Sequence, residues 1–245
     1  MSERVLLVHL DGKLPNLALM KLAAWHHQRG DHIELTRRIP ERKDMFLSPP
    51  TKIYGSTIFE FSKERTAKLR EVWPEAIIGG TGLGPSGASV ILDDDIERIK
   101  PDYSLYPKFT GSLGFTQRGC RLSCKFCVVP IKEGKNRTVN TIADIWRGDG
   151  HPRHLHLLDN DFFGQPAEQW RERIKEIQEG GFKVCFNQGI NIRLINEEAA
   201  AAIASIDYRD DSFSNKRIYT AWDNLKLLEA HKQLGAFMEK AGIRK

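Results

Sequence analysis

The chain has 245 residues, 40% of them hydrophobic, and its 37 Lys and Arg outweigh 32 Asp and Glu for a net charge of +5. No apolar run approaches the roughly 20 residues of a membrane-spanning helix, which argues against a membrane protein. Met1–Val5 passes straight into a short apolar strand without a secretory leader, so the cytoplasm is the expected location.

Residues 4–10 read as a buried strand, 16–29 as an amphipathic helix closed by Gly30, and His32–Leu35 as a second strand. Ile53–Phe59 is strand-like, 62–72 helix-like, and Ala76-Ile77-Ile78 a strand running into Gly79-Gly80. Strands alternating with helices predict a parallel sheet covered on both faces, so residues 1–100 are expected to form a small doubly wound α/β domain. Residues 101–110, with Pro101 and Pro107, read as a linker.

A second series begins at residue 111 and runs to 245. Gly111–Gln117, His154–Leu158, Phe182–Phe186 and Arg217–Ala221 read as strands. Helices are expected from Thr141, over Glu168–Gln178, over Glu197–Ile206 and over Leu225–Lys240. Each strand is followed by a cluster of polar residues, the arrangement by which α/β barrels build active sites at the carboxyl ends of their strands.

The chain has four cysteines, and Cys120, Cys124 and Cys127 fall within eight residues. A secreted disulfide scaffold would be shorter and would spread its cysteines through the fold, whereas clustered thiols in a reducing compartment point to a metal. Three thiolates at CxxxCxxC spacing can hold three irons of a cubane cluster and leave the fourth without a protein ligand. A ferredoxin closes all four positions with cysteine. A structural zinc site needs four protein ligands, which here would have to recruit His151, His154 or His156. Cys185, inside an apolar strand, reads as a buried thiol. Between Arg118 and Arg137 six basic residues face one acid, Glu133, and nearby cations stabilise a negatively charged cluster.

The motif Cys120-x-x-x-Cys124-x-x-Cys127, with Phe126 before its last cysteine and a strand before its first, resembles the radical S-adenosylmethionine signature. The resemblance is best from residue 111 to 224 and implies a partial (β/α) barrel as the second domain. It further implies a 4Fe–4S cluster on the three cysteines, with S-adenosylmethionine chelating the open iron. An electron donor such as a flavodoxin or ferredoxin would complete the system. The family's contacts to S-adenosylmethionine map onto Phe126, onto Asp159, Asn160 and Asp161 after the second strand, and onto Gln188, Asn191 and Arg193 after the third. Arg193 would present a bidentate fork to the methionyl carboxylate.

The first domain, ending in Ile78-Gly79-Gly80-Thr81-Gly82, resembles the cobalamin-binding domain that precedes many such cores. The loop that would supply a histidine to cobalt reads Asp11-Gly12-Lys13-Leu14-Pro15-Asn16, so any cobalamin would bind without a protein ligand below the metal. A family core has about six βα units and this chain shows about four, as in a shortened member. The alternative is a non-catalytic iron–sulfur or zinc-binding relative acting as a binding module. The substrate is not legible in the sequence, and the mild positive charge is compatible with nucleic acid as a partner.

Overall fold

The computed structural model describes residues 2–45, 48–84, 90–122, 124–191 and 195–220, together with positions 229, 232, 235, 236 and 239. It is a mixed α/β protein with two parallel sheets. The chain separates into two compact units, 1–109 and 110–245. Of the segment expected to link them, 101–110, all but Thr110 belongs to the first unit. There the Asp102 amide donates to Met20 and the Tyr106 hydroxyl meets His9.

In the first unit, β1 (Arg4–His9), β2 (His32–Thr36), β3 (Lys52–Ser56) and β4 (Ile77–Gly79) form a parallel sheet in the order β2-β1-β3-β4. Winding therefore reverses between β1 and β3. At such a switch point the loops leaving the two strands diverge and open a crevice at the carboxyl edge. The helix Leu17–His27 starts where it does because Asn16 accepts a hydrogen bond from the Leu19 amide, satisfying a donor the helix itself leaves free. Its apolar side, with Leu19, Leu22 and Ala23, packs against Val5 and Leu7, while Leu6 and Val8 pack with Ile53, Leu69 and Ile78 on the sheet's opposite face. Burial of each such Leu or Ile side chain stabilises the fold by about 1.5–3 kcal/mol. Gly55 faces Leu69 so closely that a Cβ would stand 2.6 Å from its Cδ2, which fixes how near the helix Lys63–Val72 can lie to the sheet.

In the second unit, β5 (Ser112–Gly114), β8 (His154–Leu157), β9 (Lys183–Phe186) and β10 (Asp207–Tyr208) run parallel in the order β10-β9-β8-β5. A short antiparallel pair, β6 (Gln117–Arg118) with β7 (Arg137–Thr138), stands apart. Leu155 and Leu157 pair in register with Val184 and Phe186. These four pack with Trp170, Ile174 and Ile177 of the helix Ala167–Glu179 and with Ala199, Ala200 and Ile203 of the helix Glu197–Ala204. The alternate residues His154, His156 and Cys185 face the other way, as the period of two requires.

The second sheet departs from the sequence expectation at two strands. The stretch expected as one strand over 111–117 breaks after Gly114, because the Thr116 and Gln117 amides donate to the Asp159 side chain rather than to a neighbouring strand. The fourth strand of the sheet is Asp207–Tyr208, not Arg217–Ala221. Of the latter stretch only Thr220 makes a β-bridge, to Ile190, and Ala221 lies outside the described residues. Among the described residues β5 and β10 remain the edges of an open sheet.

Candidate functional site

The cysteine loop leaves the β5 edge and the loop Leu158–Gly164 leaves the adjacent strand β8, so parallel pairing alone brings the two side by side. Gln117, fully buried, holds the approach to the first cysteine. Its Nε2 donates to the carbonyls of Arg118 and Gly119, each at 2.6 Å, and its Oε1 accepts from the Asp161 amide at 2.9 Å. Gly119, next to Cys120, has φ +78°, and a Cβ there would collide with the backbone of Gly134 and Lys135. Only glycine allows that positive φ together with so close an approach.

Cys120, Cys124 and Cys127 are all half-buried. The Cys120 sulfur accepts from the Leu122 amide at 3.4 Å, and the Cys127 amide closes a turn onto the Cys124 carbonyl at 3.0 Å. Burial pushes the Cys120 thiol up from its usual pKa, and Asp161, Cys127 and Cys124 add to the rise, which places the three sulfurs in one electrostatic neighbourhood. Among the described residues, no three cysteine, histidine or carboxylate ligand atoms around this loop come within 4.8 Å of one another. A single tetrahedral ion requires such a gathering, whereas a cubane spreads its thiolates over separate irons. Three sulfurs on one short loop are a donor set that can supply one thiolate to each of three irons.

Two of the histidines that a zinc site would recruit have other partners. The His156 Nδ1 lies 3.1 Å from Asn187 Oδ1, and His154 stacks on Phe213 with ring centroids 4.4 Å apart. Among the described residues the group that gathers within 4.8 Å is Glu3, His26 and Asp31 in the first unit. It forms a closed network: Asp31 accepts from the Glu3 amide and meets the His26 Nδ1 at 2.7 Å, while the Lys52 ammonium stands 3.0 Å from Glu3 Oε2.

The three residues after β8 have three different roles. Asp159 is buried, and its carboxylate accepts from the amides of Thr116 (2.7 Å) and Gln117 (3.2 Å) and from the Thr116 hydroxyl. Complete burial raises its pKa to about 7 against those hydrogen bonds. The side chain therefore points into the protein and braces the loop rather than facing a ligand. Asp161 is also buried and forms a bidentate pair with Arg121, Nε to Oδ2 at 2.7 Å and an η nitrogen to Oδ1 at 3.0 Å. Asn160 is half-buried, 3.4 Å from Glu133 Oε2, and Glu133 holds Arg118 at 3.1 Å through its other oxygen.

Of the remaining expected contacts, Phe126 is 76% exposed and presents its ring to solvent beside Cys127. Gln188 is exposed and Asn191 half-buried in the loop after β9, one strand further from the cysteines. Arg193 lies outside the described residues. One residue that sequence reasoning passed over is Asn136, whose amide nitrogen and oxygen are both buried without a hydrogen-bond partner. A Cβ on Gly164 would collide with both this amide and the Asp161 carboxylate, so the two polar groups converge beside the glycine. A buried amide with neither group satisfied is costly and marks a place for a polar ligand or water. The only sequence signal was the glycine that follows Phe162-Phe163.

No family model, curated protein or solved structure matches this chain. Among the described residues, no helix is long and apolar enough to cross a membrane.

Proposed function

We propose that this protein is a radical S-adenosylmethionine enzyme with a shortened barrel as its second unit. The reading is carried by one observation: Cys120, Cys124 and Cys127 stand on a single half-buried loop at the carboxyl edge of a parallel sheet, braced from the next strand's loop. In this reading the three thiolates hold three irons of a 4Fe–4S cluster. When bound, the cluster and S-adenosylmethionine supply reductive cleavage of the sulfonium and a carbon radical that takes a hydrogen atom from substrate.

The chain's own residues then bind, orient and exclude water. Gln117 and Gly119 fix the backbone entering the loop, so that the sulfurs are presented at set positions. Arg118 and Arg121, on either side of Gly119-Cys120, are each held by a carboxylate, Glu133 and Asp161, and so anchor the backbone that carries the first thiol. Asp161 accepts from Arg121 through both oxygens, and its Oδ1, which takes one of these bonds, would be the atom left to meet the methionyl ammonium. Asn160 and the unpartnered Asn136 amide would offer further polar contacts, and Gln188 and Asn191 in the loop after β9 would be the residues to meet the ribose. Arg193, outside the described residues, would meet the methionyl carboxylate in this reading.

Anaerobic reconstitution followed by iron, sulfide and zinc analysis tests the reading. The expected result is about four irons and four sulfides per chain. One zinc per chain with no visible absorption overturns it.

A further inference from the structure

The first unit has polar groups at its switch point, at the carboxyl ends of β1 and β3, whose chemistry the cluster does not use. His9 ends β1 and is fully buried. The Asn16 amide donates to the Tyr106 hydroxyl at 3.3 Å, and that hydroxyl, 3.1 Å from His9 Nδ1, has its own proton left to donate there. Burial, reinforced by Arg37, lowers the His9 pKa to about 4, so the ring is neutral at pH 7. With Nδ1 accepting, the ring proton sits on Nε2. That Nε2 is buried and has no hydrogen-bond partner.

The orphaned donor lies beneath Gly12. A Cβ on Gly12 would stand 3.7 Å from His9 Nε2, and the glycine has φ +88°. Two cations flank the same spot. Arg37 donates to the Gly12 carbonyl at 2.7 Å, and Arg65 donates to the Arg37 carbonyl. Each guanidinium has five N–H donors, so most remain for another acceptor. The carboxylate next to Gly12, Asp11, is already engaged. It accepts from the Thr57 hydroxyl and from the amides of Ile58 and Phe59, and although burial opposes it, these bonds hold its pKa low. Those bonds also tighten the loop after β3, from which Phe59 (44% exposed) and Phe61 (80% exposed) project as a parallel pair with centroids 5.1 Å apart. The neighbouring Glu60 is 3.6 Å from Lys63.

A hydrogen-bond donor and two guanidiniums select a phosphate, while an exposed stacked aromatic pair selects a flat ring. We propose that the carboxyl edge of the first sheet binds a nucleotide, its phosphate over Gly12 beside His9, Arg37 and Arg65 and its base on Phe59 and Phe61. The nucleotide is either free or the 5′-phosphorylated end of a single strand, since both carry the same group. The inference is independent of the cluster reading.

The test titrates the full chain with adenosine 5′-monophosphate (AMP), adenosine, inorganic phosphate and a 5′-phosphorylated decaadenylate. AMP binding is expected to saturate and to shift the His9 Nε2 resonance in nitrogen-15 spectra. Phe61→Ala removes a solvent-exposed ring and is expected to weaken AMP and adenosine about tenfold while leaving phosphate unchanged. Arg37→Gln is expected to weaken AMP and phosphate about tenfold, to reduce the salt dependence, and to leave adenosine unchanged. Arg65→Gln gives the same pattern should the Arg37 variant fold poorly. Decaadenylate binding tighter than AMP with the same crossed pattern assigns the site to a strand end, and equal affinity assigns it to a free nucleotide. The proposal is overturned if AMP does not saturate, if the variants affect all probes alike, if the His9 resonance stays fixed, or if hydroxocobalamin binds where AMP does not.

Discussion

Arg121, the residue directly after Cys120, grips the buried Asp161 with two parallel hydrogen bonds of 2.7 and 3.0 Å across 40 residues of chain. The Asp161 amide in turn donates to Gln117, three residues before Cys120. The loop after β8 therefore holds the cysteine loop at both sides of its first thiol. A free loop of this length would lose several residues' conformational entropy on closing around a ligand, at about 1–2 kcal/mol each, and this bracing removes part of that cost in advance.

Breaking the pair by Asp161→Ala should destabilise the second unit by about 1–3 kcal/mol in denaturant unfolding. That is less than for a fully buried pair, because the Arg121 side chain is 35% exposed. The double variant with Arg121→Ala should cost clearly less than the sum of the two single variants, since each single change strands the other's charge. Arg121→Lys should recover little, because an ammonium cannot span both carboxylate oxygens. Strict additivity would show that the pair does not couple the two loops.

Gly119→Ala should be far more harmful than Gly134→Ala. Both positions have positive φ, +78° and +71°, but a Cβ at Gly119 meets backbone whereas one at Gly134 meets nothing within 4 Å. The Gly134 change should cost about 1 kcal/mol of backbone strain. The Gly119 change must also move the Lys135 backbone, and with it the presentation of Cys120. Reconstituted Gly119→Ala protein should then hold well under half the iron of wild type, with the Gly134 variant near normal. Equal iron in both variants would contradict the role given to Gly119.

What the sequence made legible and what it did not divide along local and distant causes. The first sheet and its helices could be read because β1 is an unbroken apolar run and the helix after it carries its own cap at Asn16. The cysteine loop could be read because its chemistry lies within eight residues. Asp159 was expected at a ligand and instead clamps Thr116 and Gln117, a pairing 43 residues apart that no local pattern announces. The same clamp cut short the strand expected through 117. Asp207–Tyr208 escaped notice because two residues cannot show alternation, while Arg-Ile-Tyr-Thr-Ala at 217–221 has the β-branched and aromatic content of a strand without becoming one of the sheet's four.

Asp159 also predicts a pH dependence. Its carboxyl titrates near 7 in the folded protein and near the ordinary 3.8 when unfolded. Between those values the folded state binds the extra proton, so this residue's contribution to stability falls as pH rises from about 4 through 7 and stays low above that. Asn is close to isosteric here. Its oxygen can keep the Thr116 and Gln117 amides, and its nitrogen can donate to the Thr116 hydroxyl. Asp159→Asn should therefore be more stable than wild type at pH 8, by something on the order of 2 kcal/mol, and the difference should shrink toward pH 4. Unfolding curves across that range check it, and a constant difference would mean that Asp159 is ionised throughout.

The three thiols of the cysteine loop also connect to S-adenosylmethionine in this reading. Alanine at Cys120, Cys124 or Cys127 should each abolish the reconstituted cluster, because each removes the only protein ligand of one iron. Alanine at Cys185 should leave it intact, since that thiol is fully buried in β9, where burial pushes its pKa up to about 12 and keeps it a neutral, unreactive group. With three ligands and one open iron, adding S-adenosylmethionine should change the electron paramagnetic resonance spectrum of the reduced protein, and a strong reductant should then release methionine and 5′-deoxyadenosine slowly without substrate. Asn136→Leu gives a readout that does not depend on turnover. It removes an amide that has no protein partner, so folding should be unaffected or improved, while the concentration of S-adenosylmethionine needed for half the spectral change should rise about fivefold or more. A full cluster whose spectrum ignores saturating S-adenosylmethionine would leave Cys120, Cys124 and Cys127 with a structural role alone.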